Sequence, residues 1–379
     1  MHKHLKIVIT PNAFKNSLSA NEAAQIIRNA WYDIRPKDTI ISKPITDGGD
    51  GFSKILSDEK DGKFIQVETK NAIGNTHTSG YVKINNATAV IELAQCCGLQ
   101  TLTKENYDAL ESSTEGLGIV INQALEDGCT EFIIGLGGSA STDLGLGALY
   151  ALGVKFLTFE GKEIRPKGKN LDLIQAINYS TLSTKIKNKH FYLAVDVKNT
   201  LLGKNGAAKT FAPQKGASKT EIDVLEYNLS HASQLIHRQT GKDVQHVEGG
   251  GAAGGTAAGF WAFLNAEIMD GSQFIMEVLG LHEAIDSADL IITTEGCLDE
   301  QSLKGKAPYA IAQYAEKKGK LCIAFVGNNN VNHINNLPFY TIFSINPSLV
   351  LIDEAINKTA ENLKYSVHQF AKVISITNK

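Results

Sequence analysis

Arginine is scarce in this chain: Arg28, Arg35, Arg165 and Arg238 are the only four among 379 residues. A site that grips carboxylates with bidentate guanidinium forks therefore has little to draw on. Cysteine is also sparse. Cys96, Cys97, Cys129, Cys297 and Cys322 are odd in number and form no C-x-x-C pair, which excludes a disulfide framework and a zinc ribbon and fits reduced thiols in a cytoplasmic protein. Basic excess is absent, because the formal net charge is −3, so no electrostatic field points to nucleic acid or an anionic membrane. No apolar run approaches the length of a membrane span, and the one at Leu5–Thr10 stops at Pro11, too short for a secretory signal. Several catalytic signatures are missing as well. There is no G-x-x-x-x-G-K-[ST] loop, no second histidine to make His282-Glu283 a zinc motif, and no G-x-S-x-G elbow.

Glycine, by contrast, is abundant at 34 residues, against 8 prolines. Hydrophobic residues at 43% and charged residues at 20% describe a globular chain long enough for two cores. Leu5–Thr10 reads as a buried strand, Ser19–Glu22 has capping-box spacing ahead of an amphipathic helix, and Thr39–Ile45 reads as a second strand, which together open a β-α-β unit. The pattern changes between Phe64 and Leu99, where Phe64–Thr69, Gly80–Ile84 and Thr88–Leu93 read as an antiparallel meander with Asn85-Asn86 in a turn. A helix near Gly116–Glu126, strands at Glu131–Leu136 and His190–Val197, a long helix around Glu221–Arg238 and a small-residue helix at Gly254–Ala266 follow. Alternation returns at Asp289 and runs to a terminal helix from about Ile352. The expectation is an α/β protein in which 1–60 and 285–379 build a parallel-sheet domain and 61–284 an inserted mixed α/β domain.

Five loops next to strands or helices carry glycine or acid: Pro11–Ser17, Asp47–Gly51, Gly135–Asp143, Glu248–Gly255 and Glu295–Lys306. The last, Glu295-Gly296-Cys297-Leu298-Asp299-Glu300-Gln301-Ser302-Leu303-Lys304-Gly305-Lys306, is expected to follow a buried strand directly. Ligands bind at that edge of an open α/β sheet, and acids with lysines suit a magnesium-chelated phosphate. Gly137-Gly138-Ser139 offers a nest of amides and a hydroxyl for anionic oxygens. Gly249–Gly254 satisfies G-x-G-x-x-G, yet the polar stretch Lys242–Glu248 stands where a dinucleotide fold needs an apolar strand, so close helix packing explains it at least as well as NAD binding. Asp47 and Asp50 flank glycines, either as a metal or hydroxyl site or as an ordinary turn. Asp196, read as lying inside the apolar strand Leu193–Val197, is either a proton acceptor or a strand-end carboxylate bonded to nearby amides.

In order along the chain, these pieces resemble the glycerate kinase family (type I). The pieces are Pro11–Ala20, Asp47–Gly51, Gly137–Ala140, Asp196-Val197 with Asn199 and Leu201–Gly203, Phe211–Ala217, Gly251–Gly255, and Glu295–Pro308. The resemblance implies a kinase dependent on ATP and Mg²⁺ that phosphorylates D-glycerate, with 2-phosphoglycerate the favoured product. It implies a flavodoxin-like domain from both termini, and an active site in a cleft between that domain and the insert. Against the family pattern, Asn12 and Ala13 replace an acid and a hydroxyl, and Cys297 stands in place of an arginine. A substrate carboxylate would then rely on lysine, backbone amides or Arg165.

The assignments that follow make Asp196 the base, with Lys15 and Lys306 stabilising the transferring phosphoryl group. Ser17, Asp47, Gly48, Gly49, Gly137, Gly138, Ser139, Gly250, Gly251, Gly254 and Gln301 would bind substrate and phosphate. Glu295, Asp299 and Asp50 would hold the metal. The partners expected are glycerate and ATP, with no nucleic acid or membrane, on a monomer or homodimer. Alternatives are a kinase of another small hydroxy acid, a catalytically silent binding paralogue, and an NAD-dependent oxidoreductase.

Overall fold

The structure, a computed structural model, describes residues 4–14, 16–45, 52–299, 302, 306–331, 337–346 and 351–377. The chain divides into two compact units, Met1–Asp47 with Ser272–Lys379, and Gly48–Gly271.

The first unit holds a five-stranded, wholly parallel sheet. Its strands are β1 (Lys6–Ile9), β2 (Thr39–Ser42), β12 (Leu290–Leu298), β13 (Leu321–Asn329) and β14 (Thr341–Ser344), in the order β14-β13-β12-β1-β2. Counted within the unit this is 2-1-3-4-5, the flavodoxin-like order, whose switch point lies between β1 and β12. Ile7, Val8 and Ile9 are fully buried, as expected for a parallel strand covered on both faces. The capping box forms: the Glu22 N–H donates to Ser19 Oγ at 3.2 Å, and the Ser19 N–H to Glu22 Oε2 at 2.8 Å. The helix it starts, Ala20–Tyr32, buries Ala23, Ala24, Ile27, Ala30 and Trp31. Trp31 packs on Phe370 of the helix Thr359–Thr377, with ring centroids 6.1 Å apart.

The second unit is built on a six-stranded mixed sheet of order β11-β10-β6-β5-β4-β3. Here β3 is Lys63–Lys70, β4 Thr76–Ile84, β5 Thr88–Glu92, β6 Glu131–Gly135, β10 His190–Val195 and β11 Glu267–Asp270. The meander is real: β3–β4 and β4–β5 are antiparallel, and β5, β6, β10 and β11 then run parallel. Asn85 and Asn86 both take positive φ, 51° and 58°, the conformation a tight hairpin turn requires and asparagine tolerates. A small antiparallel sheet of β7 (Lys155–Leu157), β8 (Glu163–Ile164) and β9 (Ala176–Asn178) was not expected from the pattern, nor was the helix Phe52–Lys60. Strands of two or three residues are too short to show alternation.

Two expectations about strand ends are corrected. β12 continues through Glu295 and Cys297 to Leu298 because β13 pairs with it along this length, so the first third of the anticipated loop is strand. β10 stops at Val195, which places Asp196 just past the strand and half-exposed rather than inside it.

Candidate active site

In the first unit the carboxyl ends of β1 and β12 meet at the switch point. Thr293 Oγ1 donates to the Thr10 carbonyl at 2.8 Å, and Thr294 Oγ1 to the Asn12 carbonyl at 2.6 Å. These bonds fix the exit path of the chain after β1. They bring Asn12 Nδ2 to within 3.4 Å of Glu295 Oε2, where it donates to a carboxylate that is only 4% exposed. Asn12, read above only as a departure from the family pattern, is thus a direct neighbour of an expected metal ligand.

Beyond β12 the chain turns at Asp299. Ser302, which the sequence gave no reason to single out, ties that turn together. Its N–H donates to Asp299 Oδ1 at 2.9 Å, and its hydroxyl lies 3.1 Å from the same oxygen and 3.2 Å from the Cys297 carbonyl. Lys306 Nζ donates to the Ser302 hydroxyl at 3.3 Å. Lys306 is also the residue before the helix Ala307–Lys317, at φ −61° and ψ 152°, and its carbonyl accepts from the Tyr309 and Ala310 amides at 3.0 Å each. Burial raises the Cys297 thiol above its ordinary value; Asp299 and Glu295 push it up further, and Lys306 opposes them. Cys297 is therefore a neutral thiol at pH 7, set among two carboxylates and an ammonium. The Ser17 hydroxyl donates to the Ile356 carbonyl at 2.7 Å and anchors the loop to the helix Ile352–Asn357.

In the second unit, the Leu136 N–H donates to the Ala194 carbonyl at 3.2 Å, joining the carboxyl ends of β6 and β10. Asp196 follows one strand and Gly137-Gly138-Ser139 the other. The turn is pinned from behind by Leu99 N–H to the Gly138 carbonyl at 2.9 Å and Ala140 N–H to the Cys97 carbonyl at 3.4 Å. Gly138 takes φ +69° and is exposed. The amides of Gly137 and Gly138 meet no acceptor among the described residues. Two donors are thus left at the same sheet edge as Asp196. The Ser139 hydroxyl is directed elsewhere, accepting from the Ser141 N–H at 3.2 Å and lying 3.1 Å from the Ser141 hydroxyl.

Gly249–Gly255 also lies at this edge, but as packing. The Gly250 amide donates to Val247 and the Gly251 amide to Asn199, both at 2.9 Å, so neither is free to cradle an anion. A Cβ on Gly254 would sit 2.2 Å from the Ser141 carbonyl oxygen, at a φ of +65°. No strand precedes the segment, which removes the dinucleotide-binding reading and with it the expected anion role of Gly250 and Gly251. Arg165 is exposed over the Tyr150 ring at 5.7 Å, on the small-sheet side of this unit. Lys15, Asp47, Gly48, Gly49, Asp50 and Gln301 lie outside the described residues.

The glycerate kinase family model matches residues 7–375. The chain belongs to the glycerate kinase family. Glycerate 2-kinase of Escherichia coli (strain K12) is 36% identical over 98% of each chain, and glycerate kinase of Bacillus subtilis (strain 168) is 33% identical over the same shares. A crystal structure from Salmonella typhimurium LT2, provisionally named glycerate kinase 2, superposes with a TM-score of 0.85 at 32% identity and covers 99% of both chains. The family places this chain among the kinases, enzymes that transfer a phosphoryl group to an alcohol. No helix among the described residues is long and apolar enough to cross a membrane.

Proposed function

We propose that this glycerate kinase family member transfers the γ-phosphoryl group of ATP to the 2-hydroxyl of D-glycerate, giving 2-phosphoglycerate and ADP. The observation that carries the reading is 36% identity over 98% of the chain to a relative named glycerate 2-kinase. Asp196 accepts the proton of the attacking hydroxyl; the freed oxygen forms the new P–O bond as the bond to ADP breaks. Lys306 and Lys15 take up charge on the transferring group, and the Gly137 and Gly138 amides hold an anionic oxygen.

The donor set fits Mg²⁺, which takes one or two carboxylates and leaves its other positions to water and phosphate. Glu295 and Asp299 are those carboxylates, with Asp50 as a third candidate. Among the described residues no three Asp, Glu, His or Cys groups converge. When bound, Mg²⁺ neutralises phosphate charge; Asn12 and Ser302 hold the two carboxylates in place for it.

The test couples the reaction to enolase without a mutase, so that only 2-phosphoglycerate yields phosphoenolpyruvate. Signal from D-glycerate and MgATP is expected. Signal that appears only after mutase is added assigns the 3-hydroxyl instead, and the absence of ADP release removes the kinase of glycerate. Cys297, beside Lys306 and Asp299 where the family pattern carries arginine, favours a second reading in which another small hydroxy acid is the acceptor. A panel of such acids in the same ADP-release assay decides between them.

A further inference from the structure

Lys215 ends the short turn Pro213–Lys215 and is only 2% exposed. Its Nζ donates to the carbonyl oxygen of Ser141. That oxygen is the one facing the bare Cα of Gly254, and Ser141 is also the residue whose N–H and hydroxyl engage Ser139. Two residues on, Asp143 is fully buried and accepts from the Thr114 N–H at 2.7 Å, Thr114 Oγ1 at 2.8 Å, the Gly145 N–H at 3.2 Å and the Gly147 N–H at 3.3 Å. Asp143 and the buried Cys97 are the titratable groups that act on Lys215. A buried ammonium is costly, and an aliphatic side chain would fill the same space without that cost. Its target, a carbonyl two residues beyond the Gly137–Ser139 turn, gives the charge a purpose.

We propose that Lys215 is a positioning residue whose buried ammonium clamps the Ser141 carbonyl and so holds the Gly137–Ser139 turn with its amides at the carboxyl edge of β6. The functional consequence rests on the reading of that turn as a holder of substrate or phosphate oxygens.

The clamp carries a pH dependence. Burial lowers Lys215 to about 8, with Asp143 and Cys97 opposing the fall. Burial raises Asp143, against the Thr114 and glycine amide bonds, and pushes the Cys97 thiol well up, so Cys97 brings no charge at neutral pH. Below about 8 the ammonium makes a charge-assisted bond; above it the neutral amine holds the carbonyl more weakly. Global stability moves the other way. Between about 8 and the ordinary 10.5 the unfolded chain holds the extra proton, so this group adds stability as pH rises through that window. A loop that loosens while the fold firms is a signature that a purely structural lysine would not give.

Hydrogen–deuterium exchange of peptides covering 137–143, run with steady-state kinetics on D-glycerate and MgATP, tests the clamp. In Lys215→Met at pH 7, exchange there is expected to rise roughly tenfold, and KM roughly tenfold with a smaller change in kcat. In the wild-type protein, protection of 137–143 corrected for intrinsic exchange should fall roughly tenfold between pH 7 and 9, while Leu290–Ile292 stays protected. A folded Lys215→Met with unchanged exchange in 137–143 overturns the clamp. If that variant does not fold, the wild-type series decides, and constant protection through pH 8 overturns it. A loosened turn in a protein that phosphorylates no hydroxy acid supports the clamp and removes the kinase reading of the turn.

Discussion

The Ser302 hydroxyl accepts from the Lys306 ammonium and has one proton to offer to two acceptors, the Asp299 carboxylate and the Cys297 carbonyl. Nothing in its sequence neighbourhood marks it, because a serine in a polar loop reads as solvent-facing until the fold turns it inward. Asp196 shows the opposite error. Its apolar neighbours suggested a carboxylate inside a strand, but the strand ends one residue earlier, and Asp196 sits at that end partly buried, with Oδ1 shielded from solvent. Gly254 belongs to this scale too. At φ +65° and with the Ser141 oxygen 2.2 Å from any Cβ, it admits no side chain. Gly254→Ala should lower stability by more than about 2 kcal/mol in urea unfolding, from the left-handed backbone and the clash together. An unchanged midpoint would show that the backbones of 141–144 and 251–255 can move apart freely.

At the scale of elements, the first parallel strand was legible because burial on both faces leaves a continuous β-branched run, Ile7–Ile9. The Ser19–Glu22 box and the Asn85-Asn86 turn were legible through local chemistry. The extension of β12 was not, since Glu295, Gly296 and Cys297 carry no strand signal and owe their conformation to β13. Nor was the corner that ties the helix Ala20–Tyr32 to the start of β1. There Asp38 accepts from Arg35, from Trp31 Nε1 at 2.9 Å and from the Leu5 N–H at 3.1 Å, with both charged side chains at most 5% exposed. Burial alone would raise the Asp38 carboxyl, but the bonds from Arg35, Trp31 and Leu5 outweigh it and hold the group below its ordinary 3.8. A depressed carboxyl gives stability that is present above the unfolded value and lost as pH falls through the folded one. Asp38→Asn should therefore cost about 3–5 kcal/mol at neutral pH by urea unfolding, because it leaves the Arg35 charge buried. The difference from the wild-type protein should begin to shrink below about pH 3.8, where the unfolded carboxyl takes up its proton, and go on shrinking until the pH falls through the lower native value. A difference that is the same at pH 7 and pH 3 would mean the charge on Asp38 contributes nothing.

At the scale of the whole molecule, the chain order of the motifs carried the family, and the family match over residues 7–375 agrees with it. The flavodoxin-like order of the terminal sheet and the mixed sheet of the second unit follow from strand pairing that the sequence only outlined. The roles proposed above fall on Lys306, Glu295 and Asp299 in one unit and on Asp196 and the Gly137–Ser139 turn in the other. The assignment of Asp196 as the base in one phosphoryl transfer is the claim on which the mechanism stands, and the turnover number of Asp196→Asn tests it most directly. With D-glycerate and MgATP saturating, kcat should fall by about 10²-fold or more while the KM values change little, since the amide keeps the shape and loses the basicity. Turnover by the purified, folded variant close to that of the wild-type protein would contradict the account.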